Sequence, residues 1–270
     1  MLRATRFFQM PKPLCYMCNA VAMSREHVPP RNLFPEASEV GGMDYRVNLI
    51  TVPSCEEHNS AKSHDDEFLM VSLAGIIGNN SIGYMHKLGK VDRAIRASAN
   101  HLLDQVLIEK TEIHRVEMAE NKFIDIIWGT PDVTRLKRCF EHIAHGLHQH
   151  HFKVRCVGKV HVLLGYLLHK EHNAKQWSEF IKDRVALDLG GKNSHGSNQA
   201  VFYYQVTDHD QFGLYMMRLC FYGGLDVYVG FTPEGSNPPQ NITTKLIEQG
   251  IRTVITIGEK AYEFNPEPKT

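Results

Sequence analysis

The chain has 270 residues, 43% hydrophobic and 22% charged, with 30 Lys and Arg balancing 30 Asp and Glu. That is the composition of an ordinary globular protein with room for one large or two modest domains. A formal net charge of zero excludes a protein that coats nucleic acid by bulk electrostatics, and no apolar run is long enough to cross a membrane.

Six cysteines are too few and too scattered for a disulfide scaffold. Cys139, Cys156 and Cys220 each lie in an apolar setting and read as core thiols, pointing to a reducing, cytoplasmic environment. The first ten residues hold two arginines but no apolar core or small-residue cleavage site, so they do not read as a secretory signal.

The other three cysteines fall in ligand-spaced pairs. Cys15 and Cys18 form C-x2-C, and Cys55 and His58 form C-x2-H, with 36 residues between the pairs. Each spacing lets one tight turn aim two soft ligands at a common point, and two such turns complete a tetrahedron for structural zinc. Between them lie Glu26-His27-Val-Pro-Pro and Val47-Asn48-Leu49, and Asn59 follows the last ligand. Taken singly, a Glu-His pair is solvated surface, Asn48 a turn residue and Asn59 a helix cap.

In this order around the cysteine pairs, the residues resemble the HNH nucleases of the ββα-metal fold, in a zinc-stapled version. The resemblance covers about residues 12 to 70. The wording Glu-His-Val-Pro-Pro, Val-Pro-Ser-Cys and His-Asn-Ser is similar to uncharacterised bacterial members, whose relatives serve defence, mobile elements or genome maintenance. It implies hydrolysis of DNA phosphodiester bonds, with His27 as general base, Glu26 and Asn59 holding one catalytic Mg2+ or Mn2+, and Asn48 bonding backbone to steady the His27 loop. Lys62 and Arg31 become candidate phosphate contacts. Asn59 stands where many members have His, and Glu26 where many have Asp; both substitutes offer oxygen to a cation. Against it, residues 1 to 75 hold seven Lys and Arg but nine Asp and Glu, slightly acidic for a surface that must meet phosphate.

Further along, apolar spacing predicts a helix after Asn59 running to Ile76 or Ile77, then a glycine- and asparagine-rich boundary. Residues 85 to 110 read as one helix, and its Lys87, Lys90, Arg93 and Arg96 offer either a solvated face or a contact to DNA backbone. Residues 113 to 129 read as strand and 133 to 151 as an amphipathic helix ending in His142, His145, His148, His150 and His151. Spacing of three makes a second metal site at His142 and His145 conceivable. Residues 153 to 168 read as strand, 173 to 185 as helix, then 200 to 206, 213 to 222 and 225 to 231 as three strands of an antiparallel sheet, with a helix and a strand in the tail.

The expected class is α+β: a zinc-stapled HNH unit over 1–78, a mainly helical connector over 79–132, and an α+β domain over 133–270. The last would serve specificity, effector binding or assembly, through a homo-oligomer or a protein partner. The competing expectation is a zinc-stapled module that binds nucleic acid or protein without catalysis; a third is a nuclease subunit that needs a partner to supply basic surface.

Overall fold

A computed structural model of the chain describes residues 13–59, 63–98, 101–119, 122–238 and 241–267, with the backbone alone for residues 103, 110–119 and 122–128. The class is α+β, with every strand pairing antiparallel. Strand β1, Ser24–His27, pairs with β2, Thr51–Ser54, placing His27 opposite Thr51 and Ser24 opposite Ser54. Helix α1, Ser63–Ala74, follows; every residue from Phe68 to Ala74 is buried, so it runs through the core rather than over it. Only its acidic first turn reaches the edge, where Asp65 accepts from Arg135 at 2.8 Å and Arg138 at 3.2 Å.

The stretch expected as one helix over 85–110 is broken. It comprises α2, Ser81–His86, a π turn at Lys87–Val91, α3, Asp92–Ala97, and α4, His101–Val106. From Leu107 the chain is already extended, as β3, Leu107–Ala119, paired with β4, Lys122–Pro131. Gly89 sits inside the π turn, and a side chain there would meet the Glu39 carboxylate at 3.0 Å. Three of the four cations of this stretch serve local pairs: Lys87 with Asp92, Lys90 with Glu36 at 3.6 Å, and Arg93 with Glu39 at 2.9 Å.

Helix α5, Val133–Phe152, begins at an Asp132 cap that accepts from the Arg135 N–H at 2.9 Å. Strand β5, Gly158–Leu164, is shorter than the strand expected over 153–168. It is followed by α6, His172–Asp188, and by β6, Phe202–Val206, β7, Tyr215–Phe221, and β8, Leu225–Pro233. The four strands form one sheet in the order β5-β8-β7-β6. Helix α7, Ile242–Glu248, and the hairpin of β9, Thr253–Ile257, with β10, Lys260–Phe264, complete the described chain. The tail thus ends in two strands, where the sequence suggested one.

Strand alternation gives the sheet two apolar faces. Leu225, Val227, Val229 and Phe231, with Tyr215, Met217, Leu219 and Phe221, face the main core. Tyr228 on the other face packs with Val185 of α6 and with Leu189, which caps that helix. The main core runs from Cys15 and Tyr16 through α1 and α5 to Phe231. The segments 1–78, 79–132 and 133–270 therefore meet in one core among the described residues. Two contacts fix their docking: the Tyr222 hydroxyl donates to the Leu33 carbonyl at 2.6 Å, and Gly146 of α5 leaves room for Val28, whose Cγ2 would lie 2.6 Å from an added Cβ.

Candidate metal centre

The first cysteine pair sits on a tight knuckle. Cys15 N–H donates to Ala20 O at 2.8 Å and Ala22 N–H to Pro13 O at 2.9 Å, which folds the chain back on itself around the turn. Tyr16 N–H donates to Pro53 O at 2.9 Å, tying the knuckle to β2. The second pair lies on the turn that leaves β2, so the hairpin brings both turns to one end.

There Cys15, Cys18, Cys55 and His58 place their ligand atoms within 4.8 Å of one another. Cys18 and Cys55 sulfurs are 3.8 Å apart, Cys15 Sγ is 3.7 Å from His58 Nδ1, and Cys55 Sγ is 3.1 Å from the same nitrogen. Tetrahedral zinc, with bonds of about 2.3 Å to sulfur and about 2.0 Å to nitrogen, requires edges of about 3.8 Å between sulfurs and about 3.6 Å from sulfur to nitrogen. The four donors could hold such an ion with small adjustments. Burial opposes ionisation of Cys15, yet the Met17 N–H and neighbouring backbone donors hold its thiol below the usual range, as suits a thiolate ligand.

The other predicted residues lie along the same hairpin. His27 ends β1 and is half-buried; burial, and then the charge of Arg31, hold its pKa below the ordinary imidazole value. The ring is accordingly neutral at neutral pH. Arg25, two residues earlier and so on the same face, donates to Thr51 Oγ1 and Thr51 O at 2.8 Å each. Glu26 points the other way and is 5% exposed. Burial, followed by the charges of Glu26, Cys15 and Asp66, pushes the Tyr16 phenol far up, so this face gathers Tyr16, Glu26 and Asp66. The Tyr16 hydroxyl is buried with no hydrogen-bond partner among the described residues. Asn59 joins the same face of β1, its amide donating to Ser24 Oγ at 2.6 Å.

Asn48 is exposed on the turn into β2, at φ 54°. That left-handed conformation is one asparagine tolerates. The backbone bond expected of its side chain is not among the hydrogen bonds of the described residues; the His27 loop is tied instead by Val28 N–H to Ile50 O at 2.9 Å. Arg31 is exposed on the turn after β1. Lys62 lies outside the described residues, as does the N-terminal stretch through residue 12.

The second metal site considered at His142 and His145 does not form among the described residues, where the Cys and His group is the only one to bring three or more ligands together. The histidines of α5 go separate ways. His142 lies 6.1 Å from His58, ring to ring; His148 bonds the Tyr215 hydroxyl; and His151 Nδ1 lies 3.2 Å from the Tyr204 hydroxyl. Sequence reading passed over Tyr16 and Asp66. The signal for Tyr16 was its place inside the C-x2-C turn, where a large ring must pack inward or stand in water. No protein-family model, curated protein or solved structure matches this chain.

Proposed function

We propose that the chain is a metal-dependent endonuclease of the HNH type, acting on DNA. The observation that carries this reading is the order hairpin, ligand turn, helix, with His27 on one face of β1 and Glu26 and Asn59 together on the other. A hard divalent cation suits the donor set, since Glu26 and Asn59 both offer oxygen, and the buried Tyr16 hydroxyl, within electrostatic reach of Glu26, has no partner among the described residues. Glu26 and Asn59 would hold Mg2+ or Mn2+, which when bound offsets charge on the phosphate and the departing oxygen.

The remaining chemistry belongs to the chain. His27, kept neutral by burial and by Arg31, accepts the proton of the attacking water as the new P–O bond forms and the bond to the leaving oxygen breaks. Arg31 and Arg25 flank that imidazole and supply charge to the phosphate. The Val28 to Ile50 bond and the Asn48 turn hold the loop after His27 still. Zinc in the four-ligand cluster would act only in folding, pinning the two ligand turns together at one end of the hairpin.

A second reading, a zinc-stapled binding module, is favoured by the 5% exposure of Glu26, which leaves little room for substrate at its carboxylate. Supercoiled plasmid with Mg2+ or Mn2+ at low salt separates the two. Nicking by the wild type and none by a folded, zinc-loaded His27→Ala variant supports the nuclease. Plasmid bound equally by both proteins and cut by neither supports the module.

A further inference from the structure

The slightly acidic N-terminal unit poses a question of charge: which cations would meet the phosphates? The helical stretch after it supplies little, because Lys87, Lys90 and Arg93 are engaged with Asp92, Glu36 and Glu39, which leaves only Arg96 of its four expected cations. Arg25, on the His27 face of β1, lies within electrostatic reach of His150 at the end of α5. There Lys153 adopts a left-handed cap at φ 61°, its N–H on Gln149 O at 3.0 Å and its Nζ on His150 O at 2.6 Å. His151 meets the ring of His195 edge-on at 4.9 Å between centroids, and His195 stacks on Tyr204 at 5.1 Å. The loop after His195 reaches the hairpin, where the Asn198 amide donates to Val47 O at 2.8 Å.

Two permanent cations approach the histidines of this end. The cations Lys153 and Arg25 lie within electrostatic reach of His150, and Lys153 within reach of His151. Burial above all, with the charge of Lys153 beside them, keeps both imidazoles below their ordinary pKa. They are therefore neutral N–H donors at neutral pH, while Arg25 and Lys153 carry permanent charge. Such a strip, exposed at Arg25 and Lys153 and continuous with His27, is complementary to a chain of phosphates.

We infer that Arg25, His150, Lys153 and His195 form a surface, built by the C-terminal half beside the His27 face, that holds the phosphate backbone of duplex DNA. The surface has this role only if the chain acts on nucleic acid, as proposed above. Anisotropy titrations of a labelled duplex of about 20 base pairs, without added divalent ion and across a salt series, test it. His150→Gln with Lys153→Asn is suitable, because asparagine tolerates the left-handed position of Lys153. Affinity should fall about ten-fold, and the slope of log K against log salt should flatten by roughly one, for the single charge lost at Lys153. Lys175→Gln with Lys182→Gln, on α6 across the sheet, should bind as the wild type does.

Unchanged binding by a His150→Gln, Lys153→Asn variant of wild-type melting temperature and zinc content overturns the surface. So does an equal loss in both double variants, which would mean diffuse attraction. If that folded variant binds normally while the wild type nicks plasmid, the surface falls and the nuclease stands. If the wild type neither binds nor nicks, both fall together.

Discussion

Gly146 tests whether α5 positions the loop that follows His27. In Gly146→Ala the added Cβ would stand 2.6 Å from Val28 Cγ2 and 2.9 Å from Cγ1, nearer than carbon atoms approach without displacement. Overpacking of this kind costs about 1–3 kcal/mol. A glycine replaced by alanine inside a helix gains about 0.8–1 kcal/mol, so the expected net loss is about 0–2 kcal/mol. At this chain length each kcal/mol lowers the melting temperature by about 2–4 °C. Val28 is 2% exposed, and Val28→Ala alone should cost about 2 kcal/mol for two buried methyl groups. That substitution also removes the obstructing atoms, so alanine at 146 should become favourable in the double variant. The two changes should therefore couple by about 1 kcal/mol or more in a double-mutant cycle followed by urea unfolding. A more stable Gly146→Ala single variant, or an additive cycle, would refute close packing between α5 and the loop that carries the base.

Three further outcomes rest on separate contacts. Cys18→Ser should lose the metal and unfold the hairpin with its two ligand turns, read as zinc content and as loss of chemical-shift dispersion for residues 13–59; full zinc retention contradicts the assignment. Tyr222→Phe removes a buried donor from the Leu33 carbonyl and should cost about 1–3 kcal/mol, and a loss well below that range would mean Leu33 finds another partner. The third concerns acid. Burial, reinforced by His145, His209 and His151, holds His148 down to about 4. The unfolded chain thus binds a proton from about pH 6.5 that the folded chain refuses until about pH 4, and stability falls as pH drops through this window. The full shift corresponds to about 3 kcal/mol, which solvent around a half-buried ring reduces to about 1–2 kcal/mol. His148→Leu should flatten the decline between pH 7 and pH 5 in urea titrations, and an unaltered slope would remove His148 as its source.

Much of this could be read from residues alone where the physics is local. A C-x2-C or C-x2-H turn aims its ligands by itself, so Cys15, Cys18, Cys55 and His58 were identifiable without knowing what surrounds them. The amphipathic period of α5 and the apolar runs of β6, β7 and β8 likewise needed no tertiary knowledge. The stretch over 85–110 misled because helical spacing continues through Gly89, while the π turn depends on Glu39, fifty residues earlier. Asn48 was assigned a side-chain bond, yet what the chain takes from it is a left-handed φ, and sequence does not separate those two uses of asparagine. Glu26 had an expected partner face but no expected burial, because periodicity says which side of a strand a residue takes and not what covers it.

The hairpin explains why the candidate site and the C-terminal half belong together. Strands of four residues each do not form a stable ribbon in water, and zinc at one end would restrain only the turns. The other end, with His27, is held by packing: Val28 against Gly146, the Asn198 amide on Val47, and Tyr222 on Leu33, all from residues beyond 140. A general base needs its ring fixed to within a fraction of an ångström. On these contacts the C-terminal half fixes the loop after His27 as directly as the metal turns do, and the same packing brings His150 within electrostatic reach of Arg25. One arrangement of α5 thus bears on both the loop after the proposed base and the charge that would receive a phosphate chain.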